Sequence, residues 1–92
     1  MVNVLVHSHS DNTPRSRYIR FRVQVEARLF YVDTIVPLSG ESLTIVSPGS
    51  DRIASVARHY NLSPFDIERE VLKQMSETSE IIRKLFNWGD PT

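Results

Sequence analysis

From Tyr18 to Val36, apolar and polar side chains alternate almost without a break, and a period of two specifies a half-buried strand. Ile19, Phe21, Val23 and Val25 share one side, and Tyr18, Arg20, Arg22, Gln24 and Glu26 share the other. A single strand over 17–36 would run roughly 60 Å at ~3.3 Å per residue, too long for a chain of this size, so a turn is expected near Ala27. With the turn between Val25 and Phe30, Val25 faces Phe30, Val23 faces Val32 and Ile19 faces Val36, while Arg22 meets Asp33 on the other side. Glu26-Ala27-Arg28 offers no Gly or Asn for the positive φ of a tight hairpin, which leaves room for a wider loop or a bulge.

On either side of this ribbon the pattern is weaker. Val2 to Val6 alternates enough for an edge strand, and Ser8 to Ser16, with Asp11, Asn12, Thr13 and Pro14, reads as a loop. Leu38-Ser-Gly-Glu-Ser42 reads as a turn, Leu43 to Ser47 as a short strand, and Pro48-Gly49 closes the sheet.

The period then changes to that of a helix. Ser50 stands as N-cap with Asp51 in the first turn, and Ile53, Ala54, Val56, Ala57 and Tyr60 recur at helical spacing until Asn61, which suits a helix exit. Ser63 caps a second helix with Pro64 at its first position and Asp66 in its first turn, and Leu62 is placed to staple against Ile67. Phe65, Val71, Leu72 and Met75 continue it, and Ile81, Ile82, Leu85 and Phe86 form a further apolar stripe. Ser76-Glu-Thr-Ser79 between them either breaks the helix and caps a third one, the preferred reading, or is a polar interruption in a single long helix; Gly89 and Pro91 end the structure beyond Trp88. The fold class is therefore α+β: a small antiparallel sheet of three to four strands followed by two to three helices packed on one face. The 92 residues are expected to form one domain, with a β-rich half over 1–47 and a helical half over 50–88.

Composition narrows the classes. With 40% hydrophobic and 24% charged residues the chain falls among soluble globular proteins, and no apolar run approaches membrane length. The amino end has no basic stretch and too short an apolar segment for a secretory signal, and cysteine is absent, which fits a cytoplasmic, reducing setting. The formal charge of zero gives no bulk attraction to nucleic acid or anionic lipid. That sum hides a division. Through Arg28 there are five arginines against Asp11 and Glu26, and the remainder holds six basic against nine acidic residues, about +3 facing about −3.

Four segments carry candidate chemistry. His7, His9 and Asp11 stand at alternate positions and would share one side of an extended segment, as zinc ligands can. Their HxH opening resembles that of the PHP metal-dependent phosphoesterases over five residues; that family requires several further ligands, whereas His59 is the only other histidine, and no metal or other cofactor is expected. Arg52 to Val71 resembles a helix-turn-helix, with Ala57 as the small packing residue, Asn61 in the turn and Val56, Tyr60, Leu62 and Ile67 at core positions. The resemblance implies a DNA-reading second helix, but Glu70 stands where the motif is apolar, and Asp66, Glu68 and Glu70 would oppose phosphates. Val46-Ser-Pro-Gly49 through Ile53 to Ser63 also resembles the LysM glycan-binding module; one residue is extra after the glycine and no strand follows the helices, so no LysM binding residue is transferred. Finally, Tyr18, Arg20, Arg22 and Gln24 form a candidate partner- or anion-binding face, an aromatic ring beside guanidinium groups on one side of a strand.

No nucleophile elbow, P-loop or dinucleotide turn is present, and no catalytic residue is expected. The leading expectation is a non-enzymatic protein-protein interaction module, an adaptor, inhibitor or regulatory subunit with a protein partner and no membrane. The apolar residues Ile82, Leu85, Phe86 and Trp88 are expected to form a homodimer interface. The alternative is a nucleic-acid-binding regulator using the helix-turn-helix-like hairpin and the basic sheet face.

Overall fold

The computed structural model of the chain describes residues 1–38, 43–47 and 50–86. It contains strands β1 (Val2–Thr13), β2 (Ser16–Val25), β3 (Arg28–Pro37) and β4 (Thr44–Ser47), then helices α1 (Ser50–His59) and α2 (Pro64–Phe86). The four strands pair antiparallel in chain order, so the sheet is a meander with β1 and β4 at its edges. This is a small α+β fold.

The period of two in β2 is realised in full. Ile19, Phe21, Val23 and Val25 are completely buried, and Phe30, Val32 and Val36 of β3 join them on the same face. Ile53 and Val56 of α1 and Val71 and Met75 of α2 close the same core from above. Thr34 interrupts the apolar row, and its hydroxyl donates to the Ile19 carbonyl at 3.0 Å, satisfying a group that would be costly to bury alone.

The register differs from the expected one by two residues. Val25 faces Arg28, Val23 faces Phe30, Phe21 faces Val32, and Asp33 meets Arg20 instead of Arg22. A shift of two keeps every side chain on its own face, so hydrophobic patterning cannot distinguish the two pairings. The turn decides it. Glu26 adopts φ 53°, the left-handed value the wider loop was expected to avoid, and Glu26-Ala27 becomes a two-residue hairpin. The same residue receives two contacts from the chain start: its N–H donates to the Met1 carbonyl at 3.0 Å, and its carboxylate pairs with the Met1 amino group. These bonds hold a backbone shape that glutamate disfavours by about 1–2 kcal/mol.

The segment from Ser8 to Ser16 is not a loop. β1 runs on to Thr13, turns at Pro14-Arg15 and pairs back onto β2, with irregularities between Val6 and Ser8 and between Asp11 and Thr13. Short hydroxyl contacts close the tip: Thr13 and Ser16 lie 2.7 Å apart and the Arg15 N–H donates to Thr13 Oγ1 at 3.1 Å. From His7 to Thr13 β1 is exposed on both faces, so the ribbon projects beyond the core and the described residues extend over 48 × 19 × 19 Å.

The end of α1 and the start of α2 follow their sequence signals. Asn61, at φ 57°, stops α1 in a Schellman arrangement, its N–H bonding the Arg58 carbonyl at 3.0 Å and the Leu62 N–H bonding that of Ala57 at 2.9 Å. Ser63 caps α2 through Oγ to the Asp66 N–H, and Leu62 and Ile67 both pack on the core. The expected break at Ser76–Ser79 does not occur. α2 is one helix of 23 residues, and the buried Ser79 hydroxyl donates to the Met75 carbonyl four residues back at 2.7 Å. A serine that returns its hydroxyl to its own helix needs no water, so a polar run passes through the buried face without ending the helix.

α2 also covers an edge. The Gln74 carboxamide accepts from the Val4 N–H at 3.2 Å and donates to the Val2 carbonyl at 3.0 Å, occupying backbone groups on the open side of β1. The same amide donates to Glu70 at 3.1 Å. One side chain thus stands in for a neighbouring strand where the edge would otherwise invite another chain. The expected turn at 39–42 and the residues Pro48, Gly49, Trp88, Gly89 and Pro91 lie outside the described residues.

Candidate functional site

Because both helices lie on the face of Phe21 and Val32, the other face of the sheet is open. Cross-strand pairing sets its rows: Asn3, Gln24 and Leu29; Leu5, Arg22 and Tyr31; Ser8, Arg20 and Asp33; Ser10, Tyr18 and Ile35. All four sequence candidates, Tyr18, Arg20, Arg22 and Gln24, therefore stand side by side on β2 in the centre of this face. Their circumstances differ.

Arg20 is engaged. Its Nε donates to Asp33 Oδ1 at 2.7 Å and its Nη2 to Oδ2 at 3.3 Å, a two-pronged grip on a carboxylate whose side chain is only 15% exposed. Hydrogen bonding from Arg20, supplemented by the Tyr18 hydroxyl, holds Asp33 below the ordinary carboxylate range. In return, the bond to Asp33 raises the pKa of Arg20 and, with partial burial, that of Tyr18. Tyr18, Asp33 and Arg20 are one locked group. Gln24 is likewise used locally, its amide donating to the Glu26 carbonyl at 3.0 Å beside the hairpin.

Arg22 is different. Among the described residues its guanidinium takes part in no ion pair, and it lies between Leu5, 45% exposed, and Tyr31, 44% exposed. Leu29, in the next row, is 51% exposed. His7 adds a ring whose centroid lies 4.8 Å from that of Tyr31. Sequence reading singled out Arg22 but missed Leu5, His7, Leu29 and Tyr31. The signal was present for two of them, since Leu29 and Tyr31 fall on the odd positions of β3 while Phe30 and Val32 fill the core.

The metal candidates are not brought together. His7 follows Asn3 and Leu5 onto the open face against Tyr31, and the irregularity between Val6 and Ser8 then reverses the alternation, so that His9 stands opposite the buried Ile19 and Asp11 opposite Arg17. The Arg17 guanidinium is 2.7 Å from Asp11 Oδ1 and 3.3 Å from His9 Nδ1, so a cation already occupies the space between those two side chains. Among the described residues no group of three or more His, Cys, Asp or Glu could hold a metal ion.

Of the expected dimer residues, Ile82 is half-buried and packs on the core, and Ile81, at 59%, is the exposed member of that pair. The side chains of Leu85 and Phe86, and all of Trp88, lie outside the described residues. No helix among the described residues is long and apolar enough to cross a membrane.

Replacing Asp33 with asparagine tests the locked group. A carboxyl whose folded pKa is depressed stabilises above its unfolded value of about 3.9, and that contribution disappears as pH falls through the folded value. The Asp33→Asn variant is expected to melt below the unsubstituted protein at about pH 7, with the difference closing below about pH 4. Circular-dichroism melts across this range check it; a gap that persists at the acid end contradicts the assignment.

No known family, curated protein or solved structure matches this chain.

Proposed function

We propose that this chain is a non-enzymatic protein-binding module, an adaptor, inhibitor or regulatory subunit, that docks a partner protein on the open face of its sheet. The observation that carries the reading is the row Leu5–Arg22–Tyr31: an arginine without an ion-pair partner among the described residues, flanked by an exposed aliphatic and an exposed aromatic side chain on paired strands. Arginine and tyrosine are the residue types that dominate interface energetics when surrounded by apolar contact. The partner surface this row fits has a carboxylate ringed by apolar side chains, because burying Arg22 unpaired would be costly. Nucleic acid is a weaker fit. A phosphate-tracking face uses several available cations, and here Arg20 is spent on Asp33. The would-be reading helix α2 is also clasped to β1 through Gln74.

The test is affinity purification from the native host with mass spectrometry, comparing the unsubstituted chain with Arg22→Ala and Tyr31→Ala. Each variant is expected to lose the same defined partner with at least about 30-fold weaker binding, the scale of an interface hot spot of about 2 kcal/mol. Partners retained equally by both variants, or released by nuclease treatment, would overturn the proposal.

A further inference from the structure

A second surface lies on the helical side of the sheet, formed where α1 passes the closed end of the β2–β3 hairpin. There a cleft of about 180 Å³ is bounded by Arg28, Leu29 and Phe30 from the hairpin and by Arg52, Ser55, Val56 and His59 from α1. The α1 residues stand at i, i+3, i+4 and i+7, one stripe of the helix, so their convergence follows from helical spacing. Arg28 arrives from a strand twenty-four residues earlier in the chain.

The electrostatics of the cleft are one-sided. Two guanidinium groups and an imidazole line it, and no carboxylate among the described residues does. Neither Arg28 nor Arg52 forms an ion pair within the described chain. The Arg52 guanidinium lies 5.8 Å from the Phe30 ring centroid, an arrangement that holds the cation beside the aromatic wall instead of letting it swing into solvent. Like charges gathered without a counter-ion repel one another, and a bound anion would remove that repulsion.

We propose that this cleft binds a phosphomonoester. The two guanidinium groups provide forked donors for phosphate oxygens, and the Ser55 hydroxyl and His59 ring provide further donors from the helix. A phosphomonoester carries close to two negative charges and three acceptor oxygens, which matches this donor set better than the single charge and two oxygens of a carboxylate. Leu29, Phe30 and Val56 form the apolar part of the wall, so an organic group attached to the phosphate gains contact that inorganic phosphate cannot. The cleft is smaller than the roughly 300–1,000 Å³ of ordinary small-molecule sites, which restricts the enclosed portion to the phosphate and a small adjoining group. The cleft meets the open sheet face at Leu29, but none of Leu5, Arg22 and Tyr31 lines it, so the site does not depend on the docking of a protein there.

The experiment is an amide ¹⁵N chemical-shift titration of the whole chain with phenyl phosphate, inorganic phosphate and benzoate. Phenyl phosphate is expected to give saturable shifts centred on Arg28, Phe30, Arg52, Ser55 and His59, with at least tenfold tighter binding than either of the other two. Arg28→Gln and Arg52→Gln are each expected to weaken it at least tenfold, whereas Arg58→Gln, which removes the same charge from α1 outside the cleft, leaves it unchanged. The spectra report at once whether each variant is folded. A short phosphotyrosine peptide separates the two sources of such a group: tighter binding than phenyl phosphate identifies a phosphorylated protein as the ligand, and equal binding a small phosphate ester. Absence of saturation, equal binding of benzoate, or equal loss in Arg58→Gln would overturn the proposal.

Discussion

Phe21→Ala is expected to remove most of the protein's stability, about 3–5 kcal/mol. Phe21 is completely buried, lies between Val6 and Val32 across the sheet, and belongs to the cluster that Val71 and Met75 close from α2. Removing a buried phenylalanine ring costs about 3–5 kcal/mol, because the surroundings collapse only partly into the space left. Ordinary domains are stable by about 5–15 kcal/mol, and short chains lie toward the lower end because they bury a smaller share of their surface. Urea unfolding followed by far-ultraviolet circular dichroism checks this against Leu29→Ala on the open face, which is expected to change stability by less than about 0.5 kcal/mol. Similar losses in the two variants would contradict the assignment of Phe21 to the core and Leu29 to the open face.

Glu77→Pro is expected to destabilise by about 3 kcal/mol or more. Glu77 is exposed, so its side chain contributes little, and the effect isolates the backbone. Inside a continuous helix proline removes an N–H donor and clashes with the preceding turn. If the chain instead broke at Ser76 and began a new helix there, position 77 would be a first helical residue, where proline is readily accommodated. A variant as stable as the parent would therefore restore the three-helix reading, and loss of most of the helical signal would establish α2 as one element.

The same helix illustrates where the sequence could and could not be read. β2 and the start of α2 were readable because each rests on a rule with few competing solutions: strict alternation for the strand, and Ser63-Pro64 with Asp66 for the cap. Ser76–Ser79 misled because its hydroxyl residues commonly bond backbone in non-helical shapes, whereas Ser79 bonds its own helix. β1 beyond Val6 was missed for a different reason. Its side chains are exposed on both faces, so no alternation marks them, and pairing with β2 rather than local propensity makes them a strand.

The candidate site was half readable. Alternation placed Tyr18, Arg20, Arg22 and Gln24 on one face, but which arginine meets Asp33 depends on register, and the register depends on a glutamate accepting a positive φ. With Arg22 opposite Asp33, Arg20 would be the available cation. The two-residue hairpin reverses those roles, and the guanidinium without an ion pair among the described residues lies between Leu5 and Tyr31 instead. A long-range contact, from Met1 to Glu26, supports the observed outcome, and no local pattern encodes it.

The clasp between Gln74 and β1 joins positions some seventy residues apart. During synthesis from the amino end, the meander has all its strands before α2 leaves the ribosome, so its first strand waits with bare amide and carbonyl groups until the carboxy-terminal third is made. A nascent chain stalled or cut before position 74 retains the sheet and loses its guard, and such fragments are expected to stack strand to strand. Completion of α2 is thus the step that makes the sheet tolerant of its own neighbours.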